Sequence, residues 1–171
     1  VGNQWLPTWT ADGEALRFVS ELEPSTAGTV REVSLLGGVV RPVDLPLPDP
    51  APRCWEGSMR CLLQVAWSKD GSRYVRIGGD SMLVYRTGQT VPSVTGIMAV
   101  PDGIHSCAWS PDNRWIACVN GNPEWPFKPN TDGSAIWLLS PESGRLAPIT
   151  TGEALNTSPA WLDAHHLLFV S

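Results

Sequence analysis

The chain has 171 residues, 42% of them hydrophobic and 17% charged, which is enough to bury a core and excludes a disordered segment. A formal net charge of -5, with Lys and Arg scattered rather than striped, argues against a nucleic-acid surface. No apolar run approaches the ~18 residues that a membrane-spanning helix needs, and 16 Gly and 16 Pro break up any sustained helical apolar face.

The first patterned window is PTWTADGEALRFVS, around Trp9. Asp12-Gly13 suits a tight turn, because the second residue often takes positive φ, and Leu16 to Ser20 reads as the returning strand. VREVSL then turns at LGG into VVRPVDL, which completes four antiparallel strands over about residues 5–45. A Pro-rich insertion, PLPDPAPRCWEGSMR, occupies residues 46–60. The second window, VAWSKDGSRYVRIG, repeats the pattern with Trp67, Asp70-Gly71 and a strand from Tyr74 to Gly78. MLVYRT turns at GQ into TVPSVTG and closes a unit over about 61–96.

The third window, CAWSPDNRWIACVN, has Trp109, Asp112-Asn113 and a strand from Ile116 to Asn120. After a second insertion, GNPEWPFKPNTDGS at 121–134, AIWLLS turns at PESG into RLAPITT, so this unit covers about 104–151. The fourth window, PAWLDAHHLLFVS, is one residue shorter, carries Asp163 in its turn and ends with a strand from Leu167 to Ser171, a half unit over about 155–171. The Trp spacings of 58, 42 and 52 residues fit a supersecondary unit of roughly 40–50 residues with loop insertions. Four antiparallel strands per unit make the blade of a β-propeller. The predicted fold is therefore all-β: a β-propeller of four-stranded antiparallel blades, about three and a half of them present, in a single segment over 1–171. Each repeated Trp is read as filling the wedge between blades rather than as a ligand contact.

SPAW followed by LLFVS, and CAWSPDNRWIACV, resemble the TolB-type (WD40-like) propeller repeat, whose typical form runs Pro-x-Trp-Ser-Pro-Asp-Gly into an Ile-Ala-Phe-like strand. The resemblance covers nearly the whole chain, and the matched residues are structural, so it speaks to fold more than to function. Only the third unit keeps the full Trp-Ser-Pro-Asp run. Lys69 stands where Pro is usual, Arg76 stands on a normally apolar strand position, and the fourth unit lacks the normal turn. The resemblance implies several hosts: periplasmic TolB, a protein-docking propeller; the sensor or interaction domain of bacterial membrane kinases; the propeller capping the catalytic domain of prolyl-oligopeptidase-like peptidases; and free-standing secreted propellers that bind sugars or lipoproteins.

Propellers close with about four to eight blades. The expectation is a partial propeller, a fragment of a longer chain, with the remaining blades supplied by that chain or by a second copy. No signal peptide is visible and the first residue is Val1, which fits a mature or excised piece.

In a four-stranded meander the connections between second and third strands, and between one blade and the next, share one end. Both long insertions, and SELEPSTAG at 20–28, therefore rise from the same face. Candidate partner-binding residues on these loops are Glu21, Glu23, Arg53, Trp55, Glu124, Trp125, Phe127 and Lys128. The alternative is that the aromatic rings fold back as plugs on the blades. Cys54 and Cys61 bracket WEGSMR and are candidates for a bridge that stiffens the insertion; Cys107 and Cys118 lie opposite each other on one hairpin, as a bridge or as small core hydrophobes. Two bridges would indicate an oxidising compartment.

There is no Gly-x-Ser-x-Gly elbow, no His-Glu-x-x-His, no Cys-x-x-Cys and no phosphate loop, since LLGGVV lacks a Lys and a following helix. No catalytic, metal or cofactor residue is assigned. His165 and His166 read as surface turn residues, and His105 as a residue near the mouth of the central channel. Asn156-Thr157-Ser158 matches a glycosylation acceptor but abuts an inner strand. The sequence reading is a non-catalytic binding module for a protein partner or a small extracellular ligand, without nucleic acid or a membrane span in this chain, in a bacterial periplasmic or extracellular setting. The alternative is the gating propeller of a prolyl-oligopeptidase-like serine peptidase whose catalytic domain lies elsewhere. A propeller enzyme with a channel metal, such as a lactonase, needs more inward acidic or Asn side chains than this chain offers.

Overall fold

The computed structural model describes residues 4–20, 29–45, 64–78, 81–97, 104–121 and 133–171. Every regular element among them is a β-strand. The first sheet holds β1 (Gln4–Trp9), β2 (Ala15–Ser20), β3 (Thr29–Ser34) and β4 (Arg41–Pro42). The second holds β5 (Gln64–Trp67), β6 (Arg73–Gly78), β7 (Ser81–Arg86) and β8 (Val94–Ile97). The third holds β9 (Ile104–Trp109), β10 (Ile116–Asn120), β11 (Ala135–Leu139) and β12 (Leu146–Pro148). The last pairs β13 (Thr157–Trp161) with β14 (Leu167–Val170). Each sheet is an antiparallel meander in chain order. The first strands line up, β1 against β5, β5 against β9 and β9 against β13, so the sheets fan about an axis instead of stacking in two layers.

The outermost strand of the first blade is much shorter than VVRPVDL suggests. Only Arg41–Pro42 pair, and Val39 and Val40 stay outside the ladder and exposed. Pro42 gives no N–H, which an outer strand tolerates.

The recurring turn is built by two side chains. In the first three blades the residue after the Trp is Thr10, Ser68 or Ser110. Its hydroxyl donates to Asp12, Asp70 or Asp112 at 2.6–2.7 Å and accepts the backbone N–H of Ala15, Arg73 or Trp115 at 2.9–3.0 Å. The same carboxylates accept the N–H of Glu14, Ser72 and Arg114. Gly71 (φ +68°) and Asn113 (φ +60°) take the left-handed position that this turn demands. In the last hairpin Asp163 takes over, accepting the N–H groups of His165 and His166 and the His166 ring. His165 and His166 are exposed, in the turn before β14.

These bonds favour the charged carboxylate. The Ser68 hydroxyl, helped by the Ser72 N–H and hydroxyl, brings Asp70 down from 3.8 to about 2. The Thr10 and Ser110 hydroxyls lower Asp12 and Asp112 in the same way. A group depressed in the folded state contributes stability that is fully present above its unfolded value and is lost as pH falls through the folded one. The Asp70 turn therefore keeps its contribution above about pH 4 and loses it towards pH 2. Thermal melts across that window should show Asp70→Asn losing less stability on acidification than the parent; equal acid slopes would contradict the assignment.

A second repeat is a bulge in the first strand of a blade. The pairing slips by one residue between Trp5 and Thr8, opposite Cys118, and between Thr157 and Ala160. Ser106 (φ +51°) and Ser158 (φ +54°) absorb the extra residue in the last two cases, and Pro7 and Pro159, which need no ladder donor, fall inside the slipped stretch. The ladder between β5 and β6 runs without a slip.

Among the described residues three apolar cores lie between sheets. Val19 and Val30 meet Val65, Tyr74 and Tyr85, with Trp67 at the margin. Tyr74 and Tyr85 stack with centroids 5.1 Å apart, and burial pushes the Tyr74 hydroxyl up to about 12. Arg76, on β6 between Val65 and Leu83, is buried beside this core, and desolvation lowers its pKa. Val75, Ile77, Met82 and Val84 meet Ile104, Trp109, Ile116, Cys118 and Leu139. Ala117, Val119 and Ile136 meet Trp161 and Leu167.

The tryptophans interlock these cores by a common rule. Trp109 Nε1 donates to the Ala66 carbonyl at 2.8 Å, and Trp161 Nε1 donates to the Ala108 carbonyl at 3.0 Å. Each acceptor is the residue just before the preceding blade's tryptophan. Arginines cover two of the rings from the preceding blade: Arg17 over Trp67 at 5.0 Å and Arg73 over Trp109 at 5.2 Å. Arg73 also reaches Glu142 and the Asn113 carbonyl. Trp9 departs from the expected wedge-filling role and is 57% exposed, because no described sheet precedes it. Cys107 and Cys118 are joined by a disulfide across the bulged hairpin, where the sequence left a bridge and two buried thiols open.

Candidate functional site

The two ends of the blades differ. One end carries the short, self-bonded turns after β1, β3, β5, β7, β9, β11 and β13. The other carries the long connections. The loop candidates Glu21 and Glu23, Arg53 and Trp55, and Glu124, Trp125, Phe127 and Lys128 lie outside the described residues, as do Cys54 and Cys61.

At this loop-bearing end the described residues form a cleft of about 610 Å³ in the third blade, lined by Asn120, Gly121, Ser134, Trp137, Pro148 and Thr150 among others. It forms where β10 ends, β11 begins and the chain leaves β12. Asn156 ties these segments together. Its Nδ2 donates to the carbonyls of Ser134 (2.7 Å) and Ala154 (3.0 Å), its N–H donates to Ser134 Oγ, and its carbonyl accepts the Ser134 hydroxyl at 2.7 Å. The Asn156 side chain of the glycosylation-like triplet is thus buried and engaged inside the fold. Thr150 Oγ1 accepts the Ile136 N–H, and Ile136 accepts the Ile149 N–H.

Glycine makes the close approach possible. A Cβ on Gly133 would run into the Gly152 carbonyl oxygen, and backbone on both sides leaves no flexible group to yield. Gly133→Ala should therefore cost about 1–3 kcal/mol through forced backbone shifts. It should also raise hydrogen exchange at Ser134 and Asn156; protection unchanged at both would show that the segments do not meet in this way.

His105 contacts Gly121, a residue of the cleft lining. It lies within β9, not ahead of it, and is buried. Its Nε2 lies 3.0 Å from the Gly121 carbonyl and its Nδ1 lies 2.9 Å from Ser106 Oγ. A neutral ring that donates from Nε2 and accepts the Ser106 hydroxyl at Nδ1 satisfies both contacts. The Nε2 contact holds the first residue after β10 and the Nδ1 contact holds the bulge residue Ser106.

The cleft lining carries no Asp, Glu, Lys or Arg among the described residues. It offers hydroxyls, backbone amides and the Trp137 ring, a surface suited to neutral polar groups. Among the described residues no group of three or more His, Cys, Asp and Glu is placed to hold a metal ion, and no helix is long and apolar enough to cross a membrane. Sequence reasoning did not find this cleft. The available signal was the placement of Gly121, Gly133 and Gly152 at the ends of neighbouring segments.

No family model matches the chain, and no curated protein matches it. Solved structures do. A TolB-designated protein from Agrobacterium tumefaciens superimposes with a TM-score of 0.61 at 21% identity, covering 92% of this chain and 50% of that one. A prolyl endopeptidase gives 0.56 at 13% identity over 95% of this chain and 24% of that one. The acylaminoacyl peptidase of Pyrococcus horikoshii gives 0.55 at 13% identity over 95% and 27%. The chain thus spans half the length of the TolB structure and about a quarter of the peptidases. At these identities the likeness shows the fold: a TolB-like β-propeller, present here in part.

Proposed function

We propose that this propeller module is non-catalytic and binds a protein partner or a small extracellular ligand at its loop-bearing end, in a periplasmic or extracellular setting. The observation that carries the reading is the contrast between the ends. The turn end pairs its Ser/Thr hydroxyls with Asp carboxylates, whereas the other end has an uncharged cleft lined by Gly121 and Gly133, the described residues on either side of 122–132. Loops held by a rigid scaffold are where binding residues concentrate. The Cys107–Cys118 bridge supports an oxidising compartment.

The reading is tested with a photo-crosslinking residue at Thr151, beside the cleft, or at Val91, in an exposed turn at the opposite end. Expressed in a bacterial periplasm, the Thr151 derivative should give a discrete crosslinked species and the Val91 derivative should not. Crosslinking from Val91 alone would sink the proposal.

The peptidase likeness favours a second reading, a gating propeller that borders a serine-hydrolase domain. The parent gene decides between them. A Gly-x-Ser-x-Gly about two hundred residues after this segment, with labelling by a fluorophosphonate probe, supports the peptidase; an upstream transmembrane helix supports a receptor.

A further inference from the structure

We propose that the cleft of the third blade binds a neutral, polyhydroxylated small molecule, a saccharide in chemical class, through Asn120 and Trp137. The inference rests on the binding reading given above for this end of the molecule and names the ligand class. Two polar atoms of the cleft-lining side chains are buried and have no hydrogen-bond partner: Asn120 Oδ1 and Trp137 Nε1. Asn120 is 7% exposed. A buried indole N–H or amide oxygen normally finds a partner, so two left open on one wall call for a ligand.

Both side chains stand on the same wall. Asn120 pairs with Ala135, and Trp137 follows two residues along β11 on the same face, with Pro148 opposite it on β12. This face is turned towards the second sheet, because Cys118, the partner of Trp137, lies in the core shared with Val75 and Val84. The site thus lies within the array of described sheets and not on its flanks. The fold itself does not ask for these two side chains. At the equivalent positions the first blade has Ser20 and Arg31, and the second has Gly78 and Leu83. Thr150 adds a third group: its oxygen accepts the Ile136 N–H, which leaves its hydroxyl proton to donate. The wall therefore offers one acceptor and two donors, with no charged side chain among the described lining residues. Diagonal neighbours on a sheet face lie about 7–8 Å apart, so separate ligand groups must meet Asn120 and Trp137. Hydroxyls spaced around a sugar ring both donate and accept, and they meet such a set without a charge. Ala135, Trp137 and Pro148 supply apolar surface for the ring's C–H groups. An ion here would be left without a counter-charge. The volume of about 610 Å³ falls within the about 300–1,000 Å³ of small-molecule sites.

The test is a titration of the whole 171-residue chain, isotopically labelled and read by nuclear magnetic resonance at the indole N–H signals of its nine tryptophans. The Trp137 signal is the one missing from Trp137→Phe, or the one with Overhauser contacts to Pro148 if that variant does not fold. The probes are maltose, cellobiose, lactose and chitobiose, with digalacturonate and capped trialanine as acidic and peptide counterparts. At least one neutral disaccharide should shift the Trp137 signal saturably at millimolar concentration. Calorimetry with that sugar should find affinity lowered about tenfold in folded Asn120→Ala and in Trp137→Phe, the loss of one neutral hydrogen bond each. No response to any neutral sugar overturns the proposal. So does a Trp137 response to the acid or the peptide alone, or an affinity that both folded variants leave unchanged. If Thr151 crosslinks a partner while the sugars give no response, the ligand class falls and the reading beneath it stands. Crosslinking from Val91 alone, with no sugar response, removes both.

Discussion

Trp109→Ala should destabilise the chain by about 3–5 kcal/mol, the cost of truncating a large buried aromatic. The ring lies in the core between the second and third sheets, against Val75, Val84 and Ile116, under the Arg73 guanidinium. Its removal leaves a cavity that two sheets cannot close without losing their contact, and it leaves the Ala66 carbonyl without its indole donor. Trp109→Phe separates these effects. It keeps most of the ring area and forfeits the hydrogen bond, so about 1–2 kcal/mol is expected. Leu36→Ala, at a residue 92% exposed, should stay within about 0.5 kcal/mol. Urea unfolding followed by circular dichroism gives all three values. A Trp109→Ala loss no larger than that of Leu36→Ala would remove the interlock from the account of stability.

The second large effect concerns the bridge. Cys107 and Cys118 are 11 residues apart in sequence and join the arms of the third blade's first hairpin at its bulge. Constraining the unfolded chain with a ring of this size is worth about 3 kcal/mol, and for a chain of this length that corresponds to a Tm change of about 6–12 °C. The double variant with Ala at both positions should melt lower by that amount, and reductant should bring the parent down to the same temperature without moving the variant. Cys118 is fully buried, so reduction should require opening of the core and proceed slowly at low temperature. A parent whose melting ignores reductant even after prolonged incubation at elevated temperature would contradict a contribution from the bridge.

The sequence announces the blades because their markers are local. Trp-Ser-Pro-Asp in the third unit and its approximations around Trp9 and Trp67 give both the strand end and the turn, since hydroxyl, carboxylate and left-handed residue all lie within four positions. The interlock is less legible, because it joins residues 53 and 43 apart, Trp161 to Ala108 and Trp109 to Ala66, and the acceptor is backbone that any residue would supply. The bulge leaves a weak trace in Pro7 and Pro159, but Cys107 occupies the corresponding place in the third blade and hides it. The exposure of Trp9 depends on what lies beside its sheet, which no local pattern encodes. The cleft rests on backbone meeting backbone at Gly133 and Gly152, and composition shows only that glycines are common. His105 illustrates the same limit: its position on an inner strand invited a ligand role, and its ring nitrogens turn out to face Gly121 and Ser106.

The indole-to-carbonyl contacts bear on how the molecule comes apart. Each anchor leans on the residue immediately before the previous anchor, so free energy is shared between adjacent units and hardly beyond them, as in a one-dimensional lattice with nearest-neighbour coupling. Such a lattice breaks where one coupling is lost: a lesion at Trp109 should split the described sheets into two independently melting halves.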